Sequence, residues 1–168
     1  MKKSNYYLFV ISVVLLLFNV RCIDHSEETI IYLVRHAEKD TTDQTKNPPL
    51  TEEGKQRAEK LTDILAKYKI EGIYSTKYDR NINTVRAIAE NNNIEIQNYE
   101  WYNWKPLLRE VKSKKGIYLI CGHGDIILPM IDFLNGEKPL QELGHHEYDN
   151  LFKIIVEKDT AYIDLMKF

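Results

Sequence analysis

The apolar stretch Ile30-Ile31-Tyr32-Leu33-Val34 decides the fold of this chain, and the polar pair Arg35-His36 follows it directly. A continuous apolar run, without polar residues at alternate positions, is typical of a central parallel strand that is covered on both faces. A second such run, Ile117 to Cys121, ends just before His123. Ligands of open α/β sheets bind at the carboxyl ends of the strands. We therefore expect His36 and His123 to converge in one crevice if their strands are neighbours.

Helical and strand-like stretches alternate along the rest of the chain. Thr51 can cap a helix in which apolar residues recur at helical spacing. The predicted helices are Glu52 to Tyr68, Asp79 to Asn91 and a segment from Gly124 towards Leu134; the other predicted strands are Gly72 to Ser75 and Ile94 to Gln97, with a closing hairpin of Leu151 to Val156 and Ala161 to Leu165. This alternation predicts an α/β fold, a three-layer α/β/α sandwich around a mostly parallel sheet.

The composition of the 168 residues is that of one globular domain, with 43% hydrophobic and 29% charged side chains. Three basic residues, Lys2, Lys3 and Arg21, precede Cys22 in a segment without acids. Of the 23 basic and 25 acidic residues in the chain, residues 22–168 therefore carry 20 and 25, a net charge of −5. This charge disfavours nucleic acid as a partner. The 2 cysteines are too few for a disulfide framework or a structural zinc site.

The first 22 residues have the pattern of a targeting signal. Lys2 and Lys3 precede the apolar run Leu8 to Phe18, which is shorter than the ~20 residues that span a bilayer. The run leads to Cys22, as in the signal of a bacterial lipoprotein, although Arg21 stands where a small residue is usual. The alternatives are an uncleaved N-terminal anchor and a buried first helix with an incidental thiol. We expect an exported protein of the periplasm or cell envelope, anchored at Cys22 or by the hydrophobic segment.

Three segments are expected along the chain. Residues 1–22 form the signal or membrane anchor, residues 23–29 a short polar linker, and residues 30–168 one folded domain. The signal is excluded from the fold.

Four blocks of the sequence, in order from Ile30 to about Leu134, resemble the motifs of the histidine phosphatase superfamily, also called the phosphoglycerate mutase-like superfamily. Leu33-Val34-Arg35-His36-Ala37-Glu38 is similar to its Arg-His-Gly signature. The other blocks are Pro49 to Ala58, similar to Leu-Thr-x-x-Gly-x-x-Gln-Ala; Ile73 to Thr84, similar to Ser-Ser-x-x-x-Arg-x-x-x-Thr-Ala; and Ile120 to Gly124, which resembles the loop with the second catalytic histidine. The resemblance implies the phosphoglycerate mutase-like fold and a place among the small bacterial phosphatases.

The resemblance implies a phosphate pocket of four side chains, in which His36 is the nucleophile and Arg35, Arg80 and His123 surround the phosphate. A phosphate monoester is a dianion near neutral pH, and two guanidinium groups can offset its charge and hold the phosphorus near a neutral imidazole. A histidine nucleophile divides hydrolysis into phosphoryl transfer to nitrogen and attack by water. We expect this reaction to need no metal and no cofactor.

The resemblance also implies that Ser75 and Gly124 contact the substrate, with Gly124 at the N-terminus of a helix that favours an anion. An alkoxide leaving group needs a proton in the transition state. Glu100 follows the third strand and precedes an aromatic cluster. It is therefore the candidate acid best placed to reach the crevice and to have its pKa raised by apolar neighbours. The alternative is that no dedicated acid exists, because a phosphoramidate leaving group can be protonated before it reacts.

Three polar residues in or next to the motifs are interpreted separately. Thr84 either bonds to the surroundings of the nucleophile or packs against its own helix. Glu38 either orients the pocket or is solvated. Asp125 is assigned to the first turn of a helix, where an acid is favoured.

An aromatic cluster, a histidine pair and a cysteine are the remaining candidates for a functional role. Four aromatic residues either pack in the core, cap the pocket or touch a membrane surface: Tyr99, Trp101, Tyr102 and Trp104. His145-His146 lacks a third ligand at metal spacing, so no metal site is expected. Cys121 is expected to be a buried strand residue.

The expected function is that of a metal-independent phosphatase acting on a phosphate monoester or phosphohistidine, on a small molecule or a phosphoprotein. The short segment between Asn91 and Ile117 leaves little material for a lid. This argues against a mutase, because a mutase must exclude water from its phosphorylated intermediate. The alternatives are a phosphomutase and a non-catalytic module of the same fold that binds phosphorylated ligands at the membrane.

Overall fold

The structure is a computed structural model that describes residues 28–135, 147–157 and 161–168. These residues form the strands β1 (Thr29–Arg35), β2 (Ile70–Ser75), β3 (Ile96–Asn98), β4 (Gly116–Gly122), β5 (Asn150–Val156) and β6 (Ala161–Lys167). They also form the helices α1 (Glu52–Leu65), α2 (Asp79–Asn92), α3 (Lys105–Lys112) and α4 (Gly124–Asn135). The predicted signal over residues 1–22 lies outside the described residues, and β1 begins at the last residue of the predicted linker.

The described strands form one sheet in the order β3-β2-β4-β1-β5-β6. The pairs β2 with β3, β2 with β4 and β1 with β4 are parallel. β5 runs antiparallel to β1, and β6 runs antiparallel to β5. The mostly parallel sheet and the closing hairpin are therefore confirmed.

Helices cover both faces of this sheet, as a three-layer sandwich requires. Successive side chains of a strand point to opposite faces. In β1, Ile30, Tyr32 and Val34 join a core with residues of α1 and α2, while Ile31 and Leu33 join a core with residues of α3 and α4. Because both faces are buried, β1 needs apolar residues at every position, which explains its continuous apolar sequence.

Among the boundaries that differ from the prediction, two have a clear structural reason. The first helix ends at Leu65 rather than Tyr68, and the ring of Tyr68 instead packs on that of Tyr32 at a centroid distance of 5.6 Å. Ile94 was assigned to a strand, but its N–H donates to the Ala89 carbonyl at the end of α2, where Asn93 has a left-handed φ of 54°. The strand therefore begins only after this helix cap.

The start of α1 is docked against the loop that follows β1. The Thr51 hydroxyl accepts the Gly54 N–H at 3.0 Å, which confirms the predicted cap, and the Thr51 N–H donates to the Glu38 carbonyl at 2.9 Å. A Cβ at Gly54 would collide with that same carbonyl oxygen. The glycine therefore permits the close contact by which α1 holds the loop that carries His36.

Candidate active site

Four side chains meet at the carboxyl edge of the sheet. Arg35 ends β1 and His36 follows it, His123 follows β4, and Arg80 lies in the first turn of α2. The His36 N–H donates to the Gly122 carbonyl at 3.0 Å and joins the two strand ends. The imidazole centroids of His36 and His123 are 5.5 Å apart. The structure thus brings together the two histidines that the sequence placed after neighbouring strands.

The ring of His36 is buried and has one nitrogen engaged. Its Nδ1 lies 2.7 Å from the Ala37 carbonyl oxygen, an acceptor, so Nδ1 carries the proton and Nε2 carries the lone pair. Burial lowers the pKa of His36 to about 3, assisted by the nearby positive groups and opposed by the bond to Ala37. The ring is therefore neutral at pH 7.

Arg80 is a buried cation, with 8% of its surface exposed. Its Nε and Nη1 atoms are buried and have no hydrogen-bond partner among the described residues. Burial lowers the pKa of Arg80, but a guanidinium remains charged at neutral pH. Because buried unsatisfied donors are costly, this side chain is suited to an anion that supplies the missing acceptors.

Arg35 approaches the N-terminus of α4. A Cβ at Gly124 would lie 3.2 Å from the Arg35 Cζ and Nε atoms. The glycine therefore allows the guanidinium to lie against the helix start, and the structure places Gly124 at the pocket as predicted. The Arg35 Nη1 also donates to the Glu147 carbonyl at 3.5 Å.

His123 is the second imidazole of the pocket. Burial lowers its pKa to about 4, and the charge of Arg80 adds to this effect while that of Asp125 opposes it. Its Nε2 lies 3.1 Å from the Thr76 hydroxyl oxygen. Both imidazoles are therefore neutral near pH 7 in the ligand-free pocket.

The sequence of this region matches a known family. A sequence model of the histidine phosphatase superfamily (branch 1) matches residues 31–101, which include Arg35, His36 and Arg80. Over these residues the chain matches the histidine phosphatase superfamily, which supports the resemblance seen in its motifs. No curated protein matches the chain in sequence.

Solved structures share the fold at low sequence identity. The protein histidine phosphatase SixA complexed with tungstate has a TM-score of 0.68 at 14% identity, covering 82% of this chain and 96% of its own. A mycobacterial glucosyl-3-phosphoglycerate phosphatase has a TM-score of 0.66 at 12% identity, covering 83% and 99%. The phosphoglycerate mutase of Bacillus anthracis has a TM-score of 0.60 at 13% identity, covering 84% and 94%. These likenesses confirm the phosphoglycerate mutase-like fold.

The superfamily threonine of α2 supports the loop that carries His36. The Ala37 N–H donates to the Thr84 hydroxyl oxygen at 3.0 Å, and that hydroxyl donates to the Arg80 carbonyl at 2.6 Å. Of the two roles considered for Thr84, the structure thus shows the bond to the surroundings of His36.

Asn81 is a second supporting residue, and the sequence reasoning missed it. It is fully buried, and its Nδ2 donates to the Gly122 carbonyl at 2.8 Å, the same oxygen that accepts the His36 N–H. The sequence signal that could have identified Asn81 is its position directly after Arg80 in the motif.

Glu38 is neither solvated nor part of the pocket. Its Oε1 accepts hydrogen bonds from the Arg57 Nε at 2.7 Å and lies 2.6 Å from Nη2, with both side chains largely buried. Arg57 also donates from Nη1 to the Phe168 carbonyl at 2.8 Å. The pair therefore joins the His36 loop to α1 and to the end of β6.

Two tyrosines that the sequence reasoning did not single out lie against the pocket. The Arg80 guanidinium lies 4.4 Å from the Tyr78 ring centroid, and the Arg35 guanidinium lies 4.1 Å from that of Tyr148. Tyr78 stands at a variable position of its motif, and Tyr148 lies far along the chain from every motif. No sequence signal therefore marked either residue.

Two predicted site residues lie elsewhere. Ser75 is fully buried and donates its hydroxyl to the Thr76 carbonyl at 3.0 Å, so Thr76 rather than Ser75 presents a hydroxyl to His123. Glu100 is exposed and pairs with Lys77 at 3.7 Å. No described hydrogen bond or ion pair joins Glu100 to the four pocket residues, and it is not enclosed by apolar neighbours as we expected.

The predicted aromatic cluster divides into two parts. Tyr99 and Trp104 pack against the core, whereas Trp101 and Tyr102 are 41% and 68% exposed. Cys121 is fully buried in β4, as predicted. His145-His146 and Cys22 lie outside the described residues.

The described ranges contain no candidate metal site and no candidate membrane-spanning helix. Within residues 28–135, 147–157 and 161–168, no three His, Cys, Asp or Glu side chains are grouped so that they could hold a metal ion. No helix in the same ranges has the length and apolar character to cross a bilayer.

The buried neutral state of His36 predicts a pH-dependent loss of stability. Below pH 6.5 the unfolded chain takes up a proton at this position, whereas the folded ring does so only near pH 3. The free energy of unfolding must therefore fall as the pH decreases from 7.5 to 4.5. His36→Gln removes this contribution, and we expect its loss over that range to be smaller by about 2 kcal/mol.

Urea unfolding of the protein at both pH values measures this difference. Gln56→Ala, at an exposed position of α1, serves as the control and should keep the parental pH dependence. A His36→Gln variant that loses as much stability as the parent would show that His36 is not held neutral by burial.

Proposed function

We propose that the protein is a metal-independent phosphatase that hydrolyses a phosphate monoester or phosphohistidine through a covalent phosphohistidine at His36. One juxtaposition carries this proposal: a neutral His36 with its lone pair on Nε2 shares a pocket with Arg80, a buried cation whose donors lack protein acceptors. The match to the superfamily model and the phosphatases among the structural neighbours support an enzyme with phosphatase activity.

In the binding step, the phosphate dianion lies between the two arginines. Arg80 gains the acceptors that it lacks, and Arg35 adds a second positive charge at the start of α4. A dianion beside His123 favours its protonated form, which raises the pKa of this imidazole from its ligand-free value of about 4. Substrate binding therefore favours proton uptake at His123.

In the transfer step, Nε2 of His36 forms a bond to phosphorus while the bond from phosphorus to the leaving group breaks. The departing atom keeps the bonding electrons and accepts a proton. Charge on the equatorial oxygens is stabilised by donors that are already in place, namely the two guanidinium groups and the His123 ring. Water then attacks the phosphorus, and its protons stay with the released inorganic phosphate. The bond from phosphorus to Nε2 breaks with its electrons left on Nε2, so neutral His36 is restored with its Nδ1 proton still donated to the Ala37 carbonyl.

The surroundings of the two imidazoles favour particular leaving groups. Among the described residues, no carboxylate hydrogen-bonds to the ring of His36 or His123, and Glu100 pairs with Lys77 instead. The proton taken up by His123 on binding is available to the leaving group. This arrangement is suited to phosphohistidine and aryl phosphates, whose leaving groups need less assistance than an alkoxide.

Trapping of the phosphorylated protein tests this proposal. With ³²P-labelled substrate in excess EDTA, the parent should turn over and yield acid-labile, alkali-stable label. His36→Ala should not be labelled, and its turnover should fall roughly 10³-fold or more. His123→Ala should keep the label but turn over about 10²-fold more slowly, because one stabilising donor is lost.

The other outcomes of this experiment are equally informative. Label that persists in His36→Ala would place the nucleophile elsewhere, and activity that disappears with EDTA would contradict the metal-independent reaction. Binding of tungstate without any turnover would identify a non-catalytic phosphate-binding module.

We also propose that residues 1–22 place the domain in the cell envelope. The basic start, the apolar run Leu8 to Phe18 and the following Cys22 support this location. If a lipid on Cys22 anchors the protein, Cys22→Ser should move it from the membrane fraction to the soluble fraction. A variant that stays in the membrane fraction would instead favour an uncleaved hydrophobic anchor.

A further inference from the structure

Each of two tyrosine rings contacts one arginine and one histidine of the pocket. The Tyr78 ring lies 4.4 Å from the Arg80 guanidinium and 5.3 Å, edge to face, from the His123 ring. The Tyr148 ring lies 4.1 Å from the Arg35 guanidinium and 5.9 Å from the His36 ring. All four pocket residues are therefore in contact with one of the two rings.

Hydrogen bonds hold the chain segments that carry the two rings. Tyr78 is the N-cap residue of α2, and its carbonyl accepts the N–H groups of Asn81 and Ile82 at 2.9 and 3.0 Å. Tyr148 lies between Glu147 and Asn150, and the Asn150 Nδ2 donates to a Glu147 carboxylate oxygen at 3.0 Å. Both tyrosines are only partly exposed. Each ring thus belongs to a backbone segment that is already anchored.

A ring face orients a cation in a different way from a carboxylate. A carboxylate beside Arg80 would cancel most of its charge and occupy the donors that a phosphate needs. An aromatic face attracts the guanidinium through its quadrupole and bears no net charge. Among the described residues, no carboxylate lies within ion-pair distance of Arg80. The ring of Tyr78 therefore restrains Arg80 while its full charge and its buried donors remain available.

We propose that Tyr78 and Tyr148 are positioning residues of the phosphate pocket. Tyr78 orients Arg80 and His123, and Tyr148 orients Arg35 beside His36, in both cases through the ring face and edge. This inference rests on the proposed phosphate site, and it is tested by anion affinity, which can be measured without turnover.

Calorimetric titration of the full-length protein with tungstate tests the role of the rings. Tyr78→Leu and Tyr148→Leu should each weaken tungstate binding about three- to tenfold, because the guanidinium loses its ring contact. They should raise KM by a similar factor and change kcat less. Tyr78→Phe and Tyr148→Phe keep the ring and should restore most of the affinity. Tyr102→Leu, an exposed tyrosine without pocket contacts, is the matched control and should bind tungstate as the parent does.

A fluorination series separates the ring's electrostatics from its shape. Phenylalanine analogues with increasing numbers of fluorine atoms at position 78 keep the packing but weaken the negative ring face. Tungstate affinity should fall stepwise along this series even if a leucine variant does not fold. The inference would be overturned by any of three results. These are equal tungstate affinity across the series, leucine variants that bind tungstate like the parent, and a parent that does not bind tungstate.

The positioning role and the proposed function fail in different ways. If the parent turns over substrate and the leucine variants keep its tungstate affinity, the positioning role is wrong and the phosphatase proposal stands. Weakened tungstate binding in the leucine variants of a protein that shows no turnover would support the positioning role and refute the phosphatase.

Discussion

The parallel pairing of β1 with β4 is the constraint on which the candidate site depends. The register pairs Arg35 with Gly122, so the two strands end together, and one hydrogen bond from the His36 N–H to the Gly122 carbonyl joins their ends. The two imidazoles are thereby placed beyond the same sheet edge. A shift of register by one residue would turn every β1 side chain to the opposite face, so the two apolar cores and the active-site geometry are specified together.

The second determinant is the positive charge gathered at this edge. Two guanidinium groups, the buried imidazole of His36 and the partly buried imidazole of His123 share one pocket. Burial together with the arginine charges lowers the pKa values of His36 and His123 to about 3 and about 4. Protonation of either ring would add charge to a pocket that already holds Arg80 without a described counter-ion. A dianionic ligand offsets this positive charge. The same electrostatics therefore keep His36 neutral and favour an anion such as phosphate.

The sequence predicted those parts of the site that depend on local sequence patterns. Continuous apolar runs identified β1 and β4, and the residues after each strand end were expected, correctly, to meet. Residues of the superfamily-like motifs also have physical roles in the fold. Thr51 and Gly54 fit α1 against the Glu38 carbonyl, and the Thr84 hydroxyl accepts the Ala37 N–H.

The errors concern features that only tertiary structure determines. The choice between the Ser75 and Thr76 hydroxyls depends on how the chain leaves β2, because adjacent side chains point in opposite directions. Glu100 lies in the expected loop, but its carboxylate turns to Lys77 rather than into the pocket. Tyr148 reaches Arg35 from a segment more than a hundred positions away in the chain, which no local pattern encodes.

The central claim, that His36 is a neutral nucleophile with its proton on Nδ1, is tested most directly by ¹⁵N NMR of the labelled imidazoles at pH 7. The account predicts a neutral His36 ring with Nδ1 protonated and Nε2 unprotonated, and an imidazolium or a proton on Nε2 would contradict it.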